Sequence, residues 1–164
     1  MSIAVCPGSF DPITNGHVEM VRRAAAIFDE VVVVIANNPT KDYMFSEEKR
    51  REMAEVALMG IEGVRVELLG TILLASFCQD IGANVILKGL RGTSDLDSEQ
   101  SMALMNYKLS GIDTLFIAAN PELVHVSSSL VKEVANYGGS IRGMVPVNVE
   151  AAVKGVLSNK ILGF

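Results

Sequence analysis

His17, Lys41, Lys88 and Arg91 are the side chains of this sequence best suited to handling an anion, and each stands in or beside a turn of small residues. His17 closes the run Pro7-Gly8-Ser9-Phe10-Asp11-Pro12-Ile13-Thr14-Asn15-Gly16. Lys41 follows Asn37-Asn38-Pro39-Thr40, and Lys88 opens Lys88-Gly89-Leu90-Arg91. Ser127, Ser128 and Ser129 precede an apolar-periodic stretch, the composition of a helix start. One loop lysine is ordinarily just solvated. Three cations and a histidine meeting one centre would instead stabilise several phosphoryl oxygens through charge-assisted hydrogen bonds, and a helix N-terminus adds free N–H groups and a favourable dipole. Transfer of a phosphoryl-type group between two bound substrates needs positioning and charge stabilisation more than covalent help. Ser9 as a nucleophile is the weaker reading, because no G-x-S-x-G elbow surrounds it. A Walker loop and a G-x-G-x-x-G fingerprint are both absent; Gly138, Gly139 and Gly143 follow a helical stretch and read as helix stop and loop.

The hydrophobic pattern predicts what positions these groups. Apolar strands are expected at 3–5, 31–36, 64–69, 84–87 and 114–118, the second an unbroken β-branched run of the interior parallel type. Helical spacing runs over 18–28, over the stretch capped by Ser46, and over 73–81. A further helix carries Met102, Leu104, Met105 and Leu109 after a polar stretch, 92–98. Two more follow the serine triplet and Pro146. The charged cluster 47–52 is read as a solvated helix face. Five strands alternating with helices predict a doubly wound, five-stranded parallel α/β sheet, one domain over 1–164. In such a sheet ligands sit beyond the carboxyl ends of the strands, where the candidate residues fall.

Composition bounds the partners. A net charge of −5 argues against nucleic acid, which wants a basic stripe. No apolar run has the length of a membrane span or the form of a signal peptide, so a soluble, cytoplasmic protein is expected. Cys6 and Cys78 lack metal or redox spacing and read as reduced thiols. A hydrophobic fraction of 49% with 5% aromatics suits a sheet buried on both faces and leaves apolar surface for self-association.

Residues 7–17, with Thr14-Asn15-Gly16-His17 as an (H/T)-x-G-H motif, resemble the signature of the nucleotidyltransferase superfamily. With Ser46-Glu47-Glu48-Lys49-Arg50, Lys88-Gly89-Leu90-Arg91 and Ser127-Ser128-Ser129-Leu130-Val131-Lys132, the whole chain resembles the bacterial phosphopantetheine adenylyltransferases. The resemblance implies a Rossmann-like fold and the reaction of ATP with 4′-phosphopantetheine to give dephospho-coenzyme A and pyrophosphate. It also implies Mg²⁺ held by phosphates and water rather than by protein ligands, a homohexamer, and coenzyme A as feedback inhibitor. Its site residues carry over as His17 and Lys41 for catalysis. Gly8, Ser9, Phe10, His17, Gly89, Leu90, Arg91, Glu99, Leu123, Val124, His125, Val126, Ser127, Ser128 and Ser129 would contact ATP. Ser9, Lys41, Leu73, Leu74 and Lys88 would contact the acceptor, although plain core packing explains the two leucines nearly as well. Many relatives have Arg where this chain has Lys88 and Thr where it has Ser9, and a lysine offers a point charge rather than a bidentate fork. The competing readings are another nucleotidyltransferase, acting on glycerol phosphate, ethanolamine phosphate or nicotinamide mononucleotide, and a nucleotide-binding sensor without turnover.

Overall fold

Strands and helices alternate in the order β1 (Ile3–Gly8), α1 (Asn15–Ala25), β2 (Glu30–Ile35), α2 (Glu47–Leu58), β3 (Val64–Leu68), α3 (Leu74–Asp80), β4 (Val85–Leu90), α4 (Thr93–Ser110), β5 (Thr114–Ala118), α5 (Ser128–Asn136) and α6 (Val147–Ile161). The computed structural model describes residues 1–161. All strands are parallel, in the order β3-β2-β1-β4-β5, as a doubly wound sheet requires. Successive strands lie side by side on one side of β1, and the order then restarts at β4, so β1 and β4 flank the switch point.

Burial explains the β-branched run. Val31, Val32, Val33, Val34 and Ile35 are all 0% exposed, with alternate side chains in two apolar layers. One layer takes Val31, Val33 and Ile35 with residues of α1, α2, α5 and α6, and the other takes Val32 and Val34 with Cys78, Leu74 and Phe77 of α3. Each such valine contributes about 1.5–3 kcal/mol by leaving water. Cys6 and Cys78 are both free and buried, and burial pushes their thiols up to about 12 and about 11. No helix among the described residues is long and apolar enough to cross a membrane.

The sheet opens where the ligand turns lie. β1 pairs with β2 as far as Gly8↔Ile35, and β4 pairs with β5 as far as Leu90↔Ala118, but β1 and β4 pair only at Ala4↔Val85 and Val5↔Ile86. The Ile3 carbonyl accepts from Asn84 and the Gly8 carbonyl accepts from Ala36, so odd residues of β1 point towards β4 and even ones towards β2. Pro7 is therefore odd and faces β4, where it has no N–H to continue the ladder. The two halves separate from that level, and a cleft begins.

Several elements differ from the sequence expectation. β1 and β4 each run three residues beyond their expected ends, because β2 and β5 supply backbone partners that the side-chain pattern does not reveal. Lys88 and Gly89 are accordingly strand residues rather than loop. All of the polar stretch 92–98 except its cap, Gly92, is the first part of α4, not a lead-in to it: these residues are largely exposed, so no apolar period marks the helix there. α1 starts at Asn15, earlier than expected, owing to a cap at Thr14, and ends at Ala25. The cluster 47–52 is not a uniformly solvated face, since Arg50 is 1% exposed.

Candidate active site: a cleft at the switch point

The turn after β1 is built to hold His17. Thr14 caps α1: its side-chain oxygen accepts the His17 N–H at 3.4 Å, and its own N–H donates to His17 Nδ1 at 3.0 Å. This is a capping box in which histidine takes the place usually held by Glu or Gln, which fits the three-residue spacing of threonine and histidine in the T-x-G-H motif. A backbone N–H can only donate, so Nδ1 is an unprotonated acceptor and the ring proton sits on Nε2. Burial first, then the charges of Arg91 and Lys88, lower the His17 pKa to about 4, so the ring is neutral at ordinary pH. Phe10, in the left-handed region with φ 47°, sets its ring against His17 edge-on, with centroids 4.9 Å apart. A Cβ on Gly8 would stand 3.0 Å from that Phe10 ring, so any larger residue there would push the ring from its place against His17. At Gly16 a Cβ would meet protein only at 3.6 Å, so its small size keeps cleft volume rather than relieving a clash.

Five further segments complete the wall of a cavity of about 350 Å³, one of them the end of β5 with Ile117, Ala118, Ala119 and Asn120. Lys41 comes from the loop after β2; Lys88, Gly89 and Arg91 from β4 and its end; Asp95 and Glu99 from α4; Leu123, Val126, Ser127, Ser128 and Ser129 from the approach to α5. The cleft's cations meet its acids. Lys88 Nζ lies 3.2 Å from Glu99 Oε2, and Arg91 reaches both carboxylate oxygens of Asp95 at 3.0 and 3.3 Å. Arg91 holds the Asp95 carboxyl below its usual pKa. Of the serine triplet, Ser127 caps α5 by accepting the Leu130 N–H, and Ser128 donates to the Pro12 carbonyl at 2.8 Å. The α5 N-terminus is thus tied to the His17 turn, and its three serines line the cleft.

A neutral histidine with a free Nε2–H, three cations and a helix N-terminus surround one space. That set can stabilise negative charge developing on phosphoryl oxygens. Residues 5–134 match the cytidylyltransferase-like family. A phosphopantetheine adenylyltransferase from Pseudarthrobacter chlorophenolicus is 50% identical over 149 residues, covering 91% of this chain and 90% of that one. The chain belongs to the phosphopantetheine adenylyltransferase family. The Micrococcus luteus member is 48% identical over 155 residues, 94% of this chain and 99% of that one. A structure assigned as a nicotinate-nucleotide adenylyltransferase, from Vibrio parahaemolyticus, superposes with a TM-score of 0.69 at 16% identity over 98% of this chain and 94% of that one, a likeness of fold alone.

In this adenylyltransferase-family chain the cleft gathers Gly8, Ser9, Phe10, His17, Lys41, Lys88, Gly89, Arg91, Glu99, Leu123, Val126 and the three serines. Leu73, Leu74, Leu90, Val124 and His125 do not line it. Leu74 packs against the second apolar layer, and Leu73 precedes α3 at 63% exposed. The sequence reading missed three residues that hold the site from behind. Asp11, 3% exposed, accepts the Met44 and Phe45 N–H groups at 2.9 and 3.0 Å and pairs with Lys132 at 2.8 Å. Arg50 reaches the Ser9 carbonyl at 2.7 Å. Asp11 and Lys132 stood inside the quoted motifs, but their 121-residue separation leaves no local signal of pairing.

Proposed function

We propose that this protein transfers the adenylyl group of ATP to 4′-phosphopantetheine, yielding dephospho-coenzyme A and pyrophosphate. The observation that carries the reading is the His17 Nε2–H group in the same cleft as Lys41, Lys88, Arg91 and the α5 N-terminus. In this reading the acceptor's phosphate oxygen attacks the α-phosphorus of ATP in line. The new P–O bond forms as the bond to pyrophosphate breaks, with no covalent intermediate. His17 donates from Nε2 to the oxygens where charge grows, and Arg91, Gly89 and the α5 N-terminus hold the nucleotide phosphates. Lys41 and Lys88 hold the acceptor phosphate.

Mg²⁺ belongs to this reading as a companion of the nucleotide, bound by phosphate oxygens and water. Among the described residues no group of three or more His, Cys, Asp or Glu could hold a metal, and the cleft carboxylates Glu19, Asp95 and Glu99 each already face a cation. A homohexamer fits the apolar surface: Met102, Leu104, Met105, Tyr107 and Leu109 of α4 are each at least half exposed, as is Leu115 on edge strand β5. A cytoplasmic setting and feedback by coenzyme A, which shares the acceptor's pantetheine arm, complete the proposal.

The test is pyrophosphate release from ATP with a panel of phosphorylated acceptors. Turnover is expected with 4′-phosphopantetheine. Turnover with cytidine triphosphate and glycerol phosphate but not with phosphopantetheine would overturn the reading, and nucleotide binding without any turnover would favour the sensor. Lys88→Ala is expected to raise the acceptor KM about 10- to 100-fold, the loss of one charged hydrogen bond, while the ATP KM changes little. Glu99, left without its cation, adds repulsion against the acceptor phosphate. An unchanged acceptor KM would take Lys88 out of the acceptor site.

A further inference from the structure

Arg50 is a buried cation without a carboxylate. It is 1% exposed, and among the described residues no acid pairs with it; Asp11, which holds the Phe45 N–H, pairs instead with Lys132. Its guanidinium donates only to neutral oxygens. Nε reaches the Phe45 carbonyl at 3.2 Å, Nη1 the carbonyls of Ser9 at 2.7 Å and Ala36 at 3.4 Å, and Nη2 the side-chain oxygen of Asn37. The Tyr43 ring lies 4.2 Å from its central carbon. Burying a guanidinium in this way is costly, so a chain that only needed to fill the space would do better with an apolar side chain. What the cation gains is a planar fork that holds several oxygens at once in fixed directions, which a lysine cannot do.

The oxygens it holds define a loop. Ala36 and Asn37 begin the segment between β2 and α2, and Phe45 ends it. In between, the Tyr43 hydroxyl accepts the Asn38 N–H at 2.6 Å, and the Asn38 carbonyl accepts the Lys41 N–H at 3.0 Å. Lys41 therefore rides on a loop whose start, middle and end are all tied to one guanidinium. The fourth tie, to Ser9, is to the turn that carries His17.

We propose that Arg50 is a positioning residue for adenylyl transfer, setting the separation between the Lys41 loop and the Ser9–His17 turn through its bonds to Ser9, Ala36, Asn37 and Phe45; this rests on the reading of Lys41 as a ligand of the acceptor phosphate. Arg50 does not line the 350 Å³ cleft, so in this proposal it acts only through the loop and the turn it holds. Its effect is on the approach of the acceptor oxygen to the α-phosphorus, where an error of about 1 Å costs on the order of a hundredfold.

The experiment is a double-mutant cycle of Arg50→Lys with Lys41→Ala, reading kcat, acceptor KM, ATP affinity and the thermal midpoint. Arg50→Lys alone is expected to lower kcat/KM for phosphopantetheine by about ten- to a hundredfold while ATP affinity stays within about twofold. On the Lys41→Ala background the same change is expected to cost less than about threefold, because the group it positions is gone. Effects that multiply, or an equal loss of ATP affinity, would overturn the proposal. Where Arg50→Lys fails to fold, Asn37→Ala removes one tie from an exposed residue, and its cycle with Lys41→Ala is judged by the same two outcomes. A wild-type protein that releases no pyrophosphate refutes the functional reading and the positioning role with it. Turnover with multiplying effects refutes the positioning role alone.

Discussion

Replacing His17 with Ala is expected to lower kcat by about a hundred- to a thousandfold, the loss of one preorganised donor, with both substrates still bound. The ring has one free polar group. Nδ1 is occupied by the Thr14 N–H, so only Nε2–H can serve the reaction, and it does so without gaining or losing a proton. Binding survives because Lys41, Lys88, Arg91 and the α5 N-terminus are untouched. A kcat within about twofold of wild type would make His17 only a helix residue. The lowered pKa, about 4, gives the same residue a second signature. An unfolded chain protonates this histidine near pH 6.5, and the folded one only near 4. Between those values the unfolded state binds more protons, so His17 lets stability fall as pH drops from about 6.5 towards 4 and contributes no such slope above that window. Denaturant midpoints at pH 7 and pH 5 check this: wild type should lose more on acidification than His17→Gln. Equal losses would mean that the ring is not held neutral.

Asp11→Ala is expected to cost about 3–5 kcal/mol of folding stability, because it breaks a buried pair and strands its partners. The Met44 and Phe45 N–H groups lose their acceptors, and the Lys132 ammonium loses its counter-charge. For a domain of this size that corresponds to a melting point lower by roughly 10 °C. Asp11→Asn should fall between the two, since its one side-chain oxygen still accepts while the charge attraction is gone. Thermal melting decides it; a drop under about 2 °C would mean the three partners find other acceptors.

Both effects start from residues in the run 7–17, yet they were legible to different degrees. His17 stood out because Thr14-Asn15-Gly16-His17 is a local signal: cap, spacer and partner all lie within one helical turn. Asp11 sits in the same run, but its three partners lie 33, 34 and 121 residues away. Arg50 shows the same limit in reverse. Its neighbours in sequence are charged and mostly solvated, and only the convergence of the ends of β1 and β2 on it reveals a buried cation.

By itself, then, the order of residues determined the alternation of strands and helices, the parallel sheet, and the turns at the strand ends that lead to His17, Lys41 and the serine triplet. Those follow from apolar periodicity, β-branching and caps, which act over a few residues. Tertiary structure alone decided that Pro7 stands where β4 leaves β1 and opens the cleft, that Lys88 meets Glu99 in it, and that Arg50 ties the Lys41 loop to the Ser9 turn. The physical reason is the reach of the forces involved. Hydrogen bonds and ion pairs act over a few ångströms, between groups that only the folded sheet brings that close.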